Sequence, residues 1–274
     1  MLSFLLAAST VLVPPATRPV PAVVLLPGAS AADRDGTVGP NKPLADLAEG
    51  LADRGIASIR FDAAGSSVDA VLRAMREIAT ARGVDPRRVY FVGHAEGATL
   101  APALAERAGS VRGLVLLALA HRAPDVRMQE QAAAGATLLG LDGEAAAEQA
   151  SIVAARFASV RAPSVAVDPR ILGRPAAYWR EVLAVDAERS LRATKIPVLV
   201  LQGEKDFEVR KDLDFEALRS SVGTAGDRIT YRSLPGLNHF FIAVEGMSTG
   251  SEYGAPGRVA PDAIAAIADW IASH

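Results

Sequence analysis

The run Val89-Tyr90-Phe91-Val92-Gly93-His94-Ala95-Glu96-Gly97-Ala98 has the residue types of a strand, a tight turn and the start of a helix. Gly93 and Gly97 stand two positions either side of Ala95. That spacing suits a strained strand-to-helix turn, in which backbone segments approach so closely that a Cβ has no room. Such a turn serves covalent catalysis by lifting the residue at its tip, ordinarily Ser, Cys or Asp, clear of the sheet. Ala95 offers only a methyl group, so the frame of a nucleophilic catalyst is present without the attacking atom. Two polar residues elsewhere have the chemistry to work with that tip. Asp206 follows the apolar run 198–201 through Gln202-Gly203-Glu204-Lys205, and His239 follows the run 229–234 through Pro235-Gly236-Leu237-Asn238.

An alternation of elements must position these residues. Ala22-Val23-Val24-Leu25-Leu26 is a continuous apolar run closed by Pro27-Gly28, the pattern of a strand buried on both faces of a parallel sheet. Helical spacing follows over 44–54 with Gly55 as its cap, then a strand at Ile56-Ala57-Ser58-Ile59-Arg60-Phe61 before Asp62. A helix is predicted over 68–81, a strand over 89–92, a helix over 99–108 and a strand over 113–118. The rhythm breaks over 121–192, which is rich in Ala, Glu, Gln and Arg and predicts two or three helices around Asp142-Gly143 and Ala162-Pro163. A helical insert between sheet strands is most simply a lid. The sheet resumes over 196–201, followed by a helix over 213–221, a strand over 229–234 and a closing helix over 261–272.

Strands alternating with helices imply an α/β fold, a mostly parallel sheet flanked by helices with right-handed crossovers. Residues 1–120 and 193–274 would form its core and 121–192 the lid. The carboxyl ends of parallel strands share one edge, where ligands bind, so Ala95, Asp206 and His239 are expected to converge there.

At 274 residues, half of them apolar, the chain can bury a full core. Its net charge of −2 argues against capture of nucleic acid or of an anionic membrane surface. The absence of cysteine excludes disulfides, thiolate metal sites and a cysteine nucleophile. The apolar run 1–13 reads as an early strand, with Pro14-Pro15-Ala16-Thr17-Arg18-Pro19 as the turn after it. It lacks the positive flank of a secretory signal, and no run reaches the roughly 18 apolar residues of a membrane span, so a cytoplasmic location is expected. Homo-oligomerisation is left open.

Several features together resemble a known family. The elbow, the late Gly203-Glu204-Lys205-Asp206 and Gly236-Leu237-Asn238-His239 are similar to the α/β-hydrolase superfamily, in its bacterial dienelactone-hydrolase-like and acyl-peptidase-like esterase branch. Asp33-Arg34-Asp35-Gly36-Thr37-Val38-Gly39-Pro40-Asn41-Lys42-Pro43, with Asp46-Leu47-Ala48-Glu49-Gly50-Leu51 after it, resembles a loop and helix of one esterase branch. Tyr178-Trp179 and Glu252-Tyr253 match as well, and the order of elbow, acid, histidine is that of the family's triad. The resemblance implies a serine carboxylic ester hydrolase working through an acyl-enzyme on a small-molecule ester, without metal or organic cofactor. Asp206 would orient His239, and His239 would act as general base and then general acid on a nucleophile at position 95. The oxyanion hole would be the backbone N–H groups of Ala29 and Glu96. Three departures stand out: Ala95 in place of serine, Pro27-Gly28-Ala29-Ser30 where such hydrolases often have His-Gly-Ser-Gly, and a shortened segment after Asp62.

Plainer readings compete at some positions. Asp212 and Asp214 stand near Asp206, and His94 and Glu96 are expected to point into the packed turn rather than at substrate. Asp33, Arg34 and Asp35 have no histidine at ligand spacing, which favours a salt-bridged loop over a metal site. Tyr178 and Trp179 fit either the core of the lid or a substrate wall, and Phe240, next to His239, is a further substrate-contact candidate. Ala95 itself has three explanations: a Ser→Ala replacement that keeps the pocket and removes only the oxygen; a natural non-hydrolytic cyclase, lyase or isomerase using His239 and Asp206 as a base dyad; or a binding protein that kept the pocket. The intact acid and histidine favour the first.

Overall fold

The computed structural model describes residues 9–31, 33–62, 68–162 and 170–274. The start of the N-terminal apolar run, the segment directly after Asp62 and the Pro163 turn lie outside the described residues. In chain order the elements are β1 (Ser9–Leu12), β2 (Val20–Leu26), α1 (Pro43–Ala52), β3 (Ala57–Phe61), α2 (Val68–Ala79), β4 (Val84–His94), α3 (Glu96–Ala108) and β5 (Leu114–Leu117). Then come α4 (Pro124–Leu138), α5 (Gly143–Arg161), α6 (Ala176–Leu183), α7 (Ala187–Ala193), β6 (Val198–Gly203), α8 (Glu216–Val222), β7 (Ile229–Leu234) and α9 (Pro261–Ser273).

Among the described residues the strands form one sheet in the order β1-β3-β2-β4-β5-β6-β7, parallel except for the edge strand β1, which runs antiparallel to β3. The continuous apolar runs of β2, β4, β5 and β6 are buried because helices cover both sheet faces. Alternate residues feed the two sides: Val24 and Phe91 join a core with α2 and α3, whereas Val23, Leu25, Tyr90 and Val92 join one with α1 and α9. Register aligns the strand ends that matter. Leu26 pairs with Gly93, His94 with Leu117, Leu117 with Leu201, and Gly203 with Leu234, so the loops after β2, β4, β6 and β7 all leave from one edge.

Several elements differ from their predicted bounds: α3 begins at Glu96 rather than Thr99, α4 to α7 are four helices where two or three were expected, and two further shifts have identifiable reasons. β4 begins at Val84 rather than Val89 because Val84 pairs with Val20 before the register shifts ahead of Ala22 and Val89. The helix predicted over 213–221 starts at Glu216, after a π-helical turn over Lys211–Phe215 that surrounds the buried Asp214 carboxylate. Asp214 accepts hydrogen bonds from the N–H groups of His121, Arg122 and Arg210 and from the Arg122 guanidinium, tying the start of the helical segment to the sheet. Within that segment α4 and α5 pack on each other, and α6 packs on α5 and α3.

Candidate active site

The elbow forms as the glycine spacing requires. Ala95 takes φ 51° and ψ −117°, and its N–H donates to Leu117 O at 2.9 Å. A Cβ on Gly93 would lie 2.5 Å from Gly97 O, and one on Gly97 would run into the carbonyls of Leu26 and Pro27. Only glycine fits either place, and the turn aims the Ala95 methyl at the strand-end edge.

Asp206 and His239 meet there. His239 Nδ1 donates to Asp206 Oδ2 at 2.8 Å, and both side chains are buried. The Asp206 carboxylate also accepts from the N–H groups of Glu208 and Val209, at 2.8 and 2.9 Å, and from Gln202 Nε2 at 3.1 Å. Burial pushes Asp206 up, but the charge and hydrogen bond of His239 and these donors outweigh it and hold the carboxyl below its usual range. The neighbouring candidates are spoken for: Asp214 is held by Arg122, and the exposed Asp212 pairs with Arg210.

The two histidines of the site shift in opposite directions. Burial pulls His239 down, yet Asp206 and then Glu208 overcome it and push the imidazole up to about 9. His94, its ring centroid 4.5 Å from that of His239, is brought down to about 4 by burial and by the charge of His239. His94 Nε2 donates to His239 O at 2.9 Å, so its role is to seat the His239 backbone.

The oxyanion side differs from the expectation. Ala29 is buried after β2 as predicted, but its N–H already donates to Glu96 Oε2 at 2.9 Å. Glu96 therefore does not simply point into packing; its carboxylate occupies the donor assigned to substrate. Arg127 of α4 holds the other oxygen, with Nη2 3.2 Å from Glu96 Oε1. Burial raises Glu96, but Arg127 and the N–H of Ala29 outweigh it, so the group stays ionised. Arg174 braces the loop beneath by donating to the carbonyls of Ala29 and Ala31, both at 3.1 Å.

Of the aromatic candidates, Trp179 belongs to the core and not to a wall: it is fully enclosed, donates its indole N–H to Ile171 O at 3.0 Å and meets Phe157 edge-on. Tyr178 is nearly buried beneath Arg174, and burial together with the charge of Glu96 raises its hydroxyl. Phe240 packs on His94 and His239, with ring centroids 5.4 and 5.2 Å away. The acidic loop near the N-terminal half is held by ion pairs, Arg34 to Asp62 at 3.2 Å and Arg60 to Asp35 at 2.5 Å.

With this geometry in place, the chain can be set beside known proteins. No family model matches it. Over 273 residues it is 29% identical to esterase EstD of Thermotoga maritima, an alignment covering 94% of this chain and 64% of that protein. Est1E from Butyrivibrio proteoclasticus, solved with ferulic acid bound, superposes with a TM-score of 0.59 at 16% identity over 98% of this chain and 96% of that one. The monoacylglycerol lipase of Paleococcus ferrophilus gives 0.54 at 20% identity over 98% and 99%. The fold is that of the α/β-hydrolases.

Within that α/β-hydrolase frame, two groups at the site were not singled out from the sequence. Arg127 is brought in by α4, thirty-one residues beyond Glu96, and no local pattern marks it. Glu208 had a usable signal, since it stands two residues past Asp206 in the same loop. Its Oε2 lies 3.9 Å from His239 Nε2, the nitrogen that faces away from Asp206. Its Oε1 accepts the Tyr253 hydroxyl at 2.8 Å.

Proposed function

We propose that this chain is a carboxylic ester hydrolase scaffold whose nucleophile position is filled by Ala95, so that it binds an ester without forming an acyl-enzyme. The supporting observation is the backbone at Ala95, an alanine held in the φ-positive elbow conformation that a nucleophile uses, on the same strand edge as an Asp206–His239 hydrogen bond of 2.8 Å. With a serine at 95, His239 Nε2 would accept its proton as the oxygen attacks the ester carbonyl, then return a proton to the departing alcohol; Asp206 would orient the ring throughout. The carbonyl oxygen would take the N–H groups of Ala29 and Glu96, which requires the Glu96 carboxylate to leave Ala29.

The resemblance to esterase EstD favours this reading at the level of reaction class. The helices α4 to α7 are its proposed lid, because α4 delivers Arg127 to the oxyanion side. Two cavities open beside the site, of about 1260 and 560 Å³, both bordered by Gln131 of α4 and by Glu208. Either is large enough for a small ester.

Ala95→Ser tests the reading with p-nitrophenyl acetate and with a fluorophosphonate probe followed by mass spectrometry. The expected result is a gain in hydrolysis over the unaltered chain of at least about 10³ and up to the roughly 10⁶ that loss of such a serine costs, with covalent labelling at position 95. A folded variant that neither hydrolyses activated esters nor takes the label overturns it. A gain in turnover by the unaltered chain over the serine variant on one substrate would favour the non-hydrolytic base dyad instead.

A further inference from the structure

The His239 ring has a carboxylate on each side. Asp206 Oδ2 takes Nδ1, and Glu208 Oε2 stands 3.9 Å from Nε2, within ion-pair distance though longer than a hydrogen bond. Nε2 is the nitrogen through which a histidine oriented in this way exchanges protons with a nucleophile or a leaving group. With a methyl group at position 95, no hydroxyl of the elbow competes for it.

Glu208 is fixed in that place from two sides. Its N–H donates to Asp206 Oδ1, and its Oε1 accepts the Tyr253 hydroxyl at 2.8 Å. Tyr253, in the turn Ser251–Gly254, is anchored in its own turn by the Gly39-Pro40-Asn41 loop: Asn41 Nδ2 donates to Tyr253 O at 3.1 Å, and Gly39, at φ 55°, comes so near that a Cβ would lie 2.5 Å from that carbonyl. Phe240 packs edge-on against both Tyr253 and His239, with ring centroids 4.7 and 5.2 Å away. The rare loop motif and Glu252-Tyr253 thus converge on one carboxylate set against the proton-transferring nitrogen.

The other charged groups near the ring are engaged elsewhere. From the elbow, Glu96 is held by Arg127 and the Ala29 N–H, while His94 donates to His239 O. Lys205, beside Asp206, turns its Nζ to Gly246 O at 2.7 Å, and Arg174 donates to the carbonyls of Ala29 and Ala31. Glu252 accepts from Ser248 and from the N–H groups of Thr249 and Gly250. Among the described residues no Lys or Arg lies within ion-pair distance of Glu208, Arg156 of α5 at the same smaller cavity included, so His239 is its charge partner.

We propose that Glu208 is a positioning residue that holds a proton on His239 Nε2 and thereby sets the alkaline range in which the ring can act as a base. Burial lowers the ring, but Asp206 and then Glu208 outweigh it and raise it to about 9, so at neutral pH both ring nitrogens carry protons. A general base needs the neutral ring, which forms only as pH rises through that value. The part that Glu208 plays in turnover rests on the ester hydrolase reading; its pairing with the ring does not.

The test is NMR titration of the His239 ring in the unaltered chain, in Glu208→Gln and in Glu208→Ala, with the signal assigned by its loss in His239→Gln. Glutamine keeps an acceptor for the Tyr253 hydroxyl and removes only the charge. Both variants should titrate at least about one pH unit below the unaltered chain. In the Ala95→Ser background, kcat/KM for p-nitrophenyl acetate, corrected for spontaneous hydrolysis, should climb with pH along a limb that Glu208→Gln moves down by the same interval, about a tenfold gain at pH 7. A merely structural role would scale the whole profile and leave the limb in place. A His239 titration unmoved by both variants, or an unmoved limb in an active serine variant, overturns the proposal. A lowered titration beside an Ala95→Ser variant that stays inert upholds the pairing and counts against the hydrolase reading alone.

Discussion

The two flanks of Ala95 are built on different terms. On the histidine flank, each side-chain oxygen of Asp206 has donors and His239 is seated by His94, so the arrangement is closed and needs nothing more. On the oxyanion flank, the Ala29 N–H is satisfied by Glu96, a side chain of the elbow itself, under the guanidinium of Arg127. On the proposed ester-hydrolase reading, one flank would handle a proton and the other holds an internal anion where a developing negative charge would sit. The first arrangement is held by groups at the ends of β4, β6 and β7, whereas the second also depends on α4, a helix outside the sheet. Substitutions at the turn, at the ion pair and at the tip sharpen that contrast.

The largest effect is expected where backbone meets backbone. In Gly97→Val, the new Cβ lies 2.8 Å from both Leu26 C and Pro27 O, and neither can yield without moving the end of β2. At least about 3 kcal/mol of stability should be lost, with much of the protein insoluble. Gly109→Ala is the control for space, since nothing lies within 4 Å of a Cβ there; at φ 70° and ψ −8° it is in the left-handed region, where an alanine costs about 1 kcal/mol of strain. Equal denaturation midpoints for the two variants would mean that the turn does not need the close approach.

This same turn explains what was legible in the sequence. Glycine spacing and apolar runs report backbone geometry directly, so the elbow, the alternation of strands and helices and the convergence of Asp206 with His239 could be read from local residues. The occupant of the Ala29 N–H could not, because it depends on the χ angles of Glu96 and on where α4 brings Arg127. Tyr178 and Trp179 show the same limit: both are apolar and adjacent, and only the packing of α6 on α5 sends Trp179 into the core. Glu208 was passed over because an acid next to a recognised acid reads as loop polarity.

Next in size is the ion pair of the oxyanion flank. Arg127→Leu strands the Glu96 carboxylate in a buried site with the Ala29 N–H as its remaining partner from outside the residue, and should cost about 3 kcal/mol. Removing both charges in Glu96→Leu/Arg127→Leu should restore most of that loss. A double-mutant cycle by urea denaturation checks it, and additive single losses would show that the two groups act independently.

A smaller, pH-dependent effect contrasts the two histidines. His239, raised to about 9, contributes stability that is fully present below the unfolded value near 6.5 and is lost as pH rises through 9. His94, lowered to about 4, works the other way: the unfolded chain binds the extra proton between 6.5 and 4, so stability falls as pH drops through that window. Together they place a stability maximum near pH 6.5. Melting temperatures from pH 4 to 9 should therefore peak there, and His239→Gln should flatten the alkaline limb and, by removing a charge that helps hold His94 down, soften the acid limb as well.

The smallest expected effect concerns the tip. Ala95 sits at φ 51° and ψ −117°, where an alanine is strained by about 1 to 3 kcal/mol, and the residue is buried, 7% exposed. Ala95→Gly relieves that strain but gives the unfolded chain more freedom, at a cost of about 0.4 to 1 kcal/mol, and loses one methyl contact. The balance is a gain of roughly 0.5 kcal/mol, readable as a higher urea midpoint at unchanged m-value. A loss of stability on Ala95→Gly would mean that the methyl packs well enough to explain the alanine without any history as a nucleophile's place. A gain means that the elbow is held under strain by its glycines and strand register, and that the methyl group's packing does not account for the conformation at the tip.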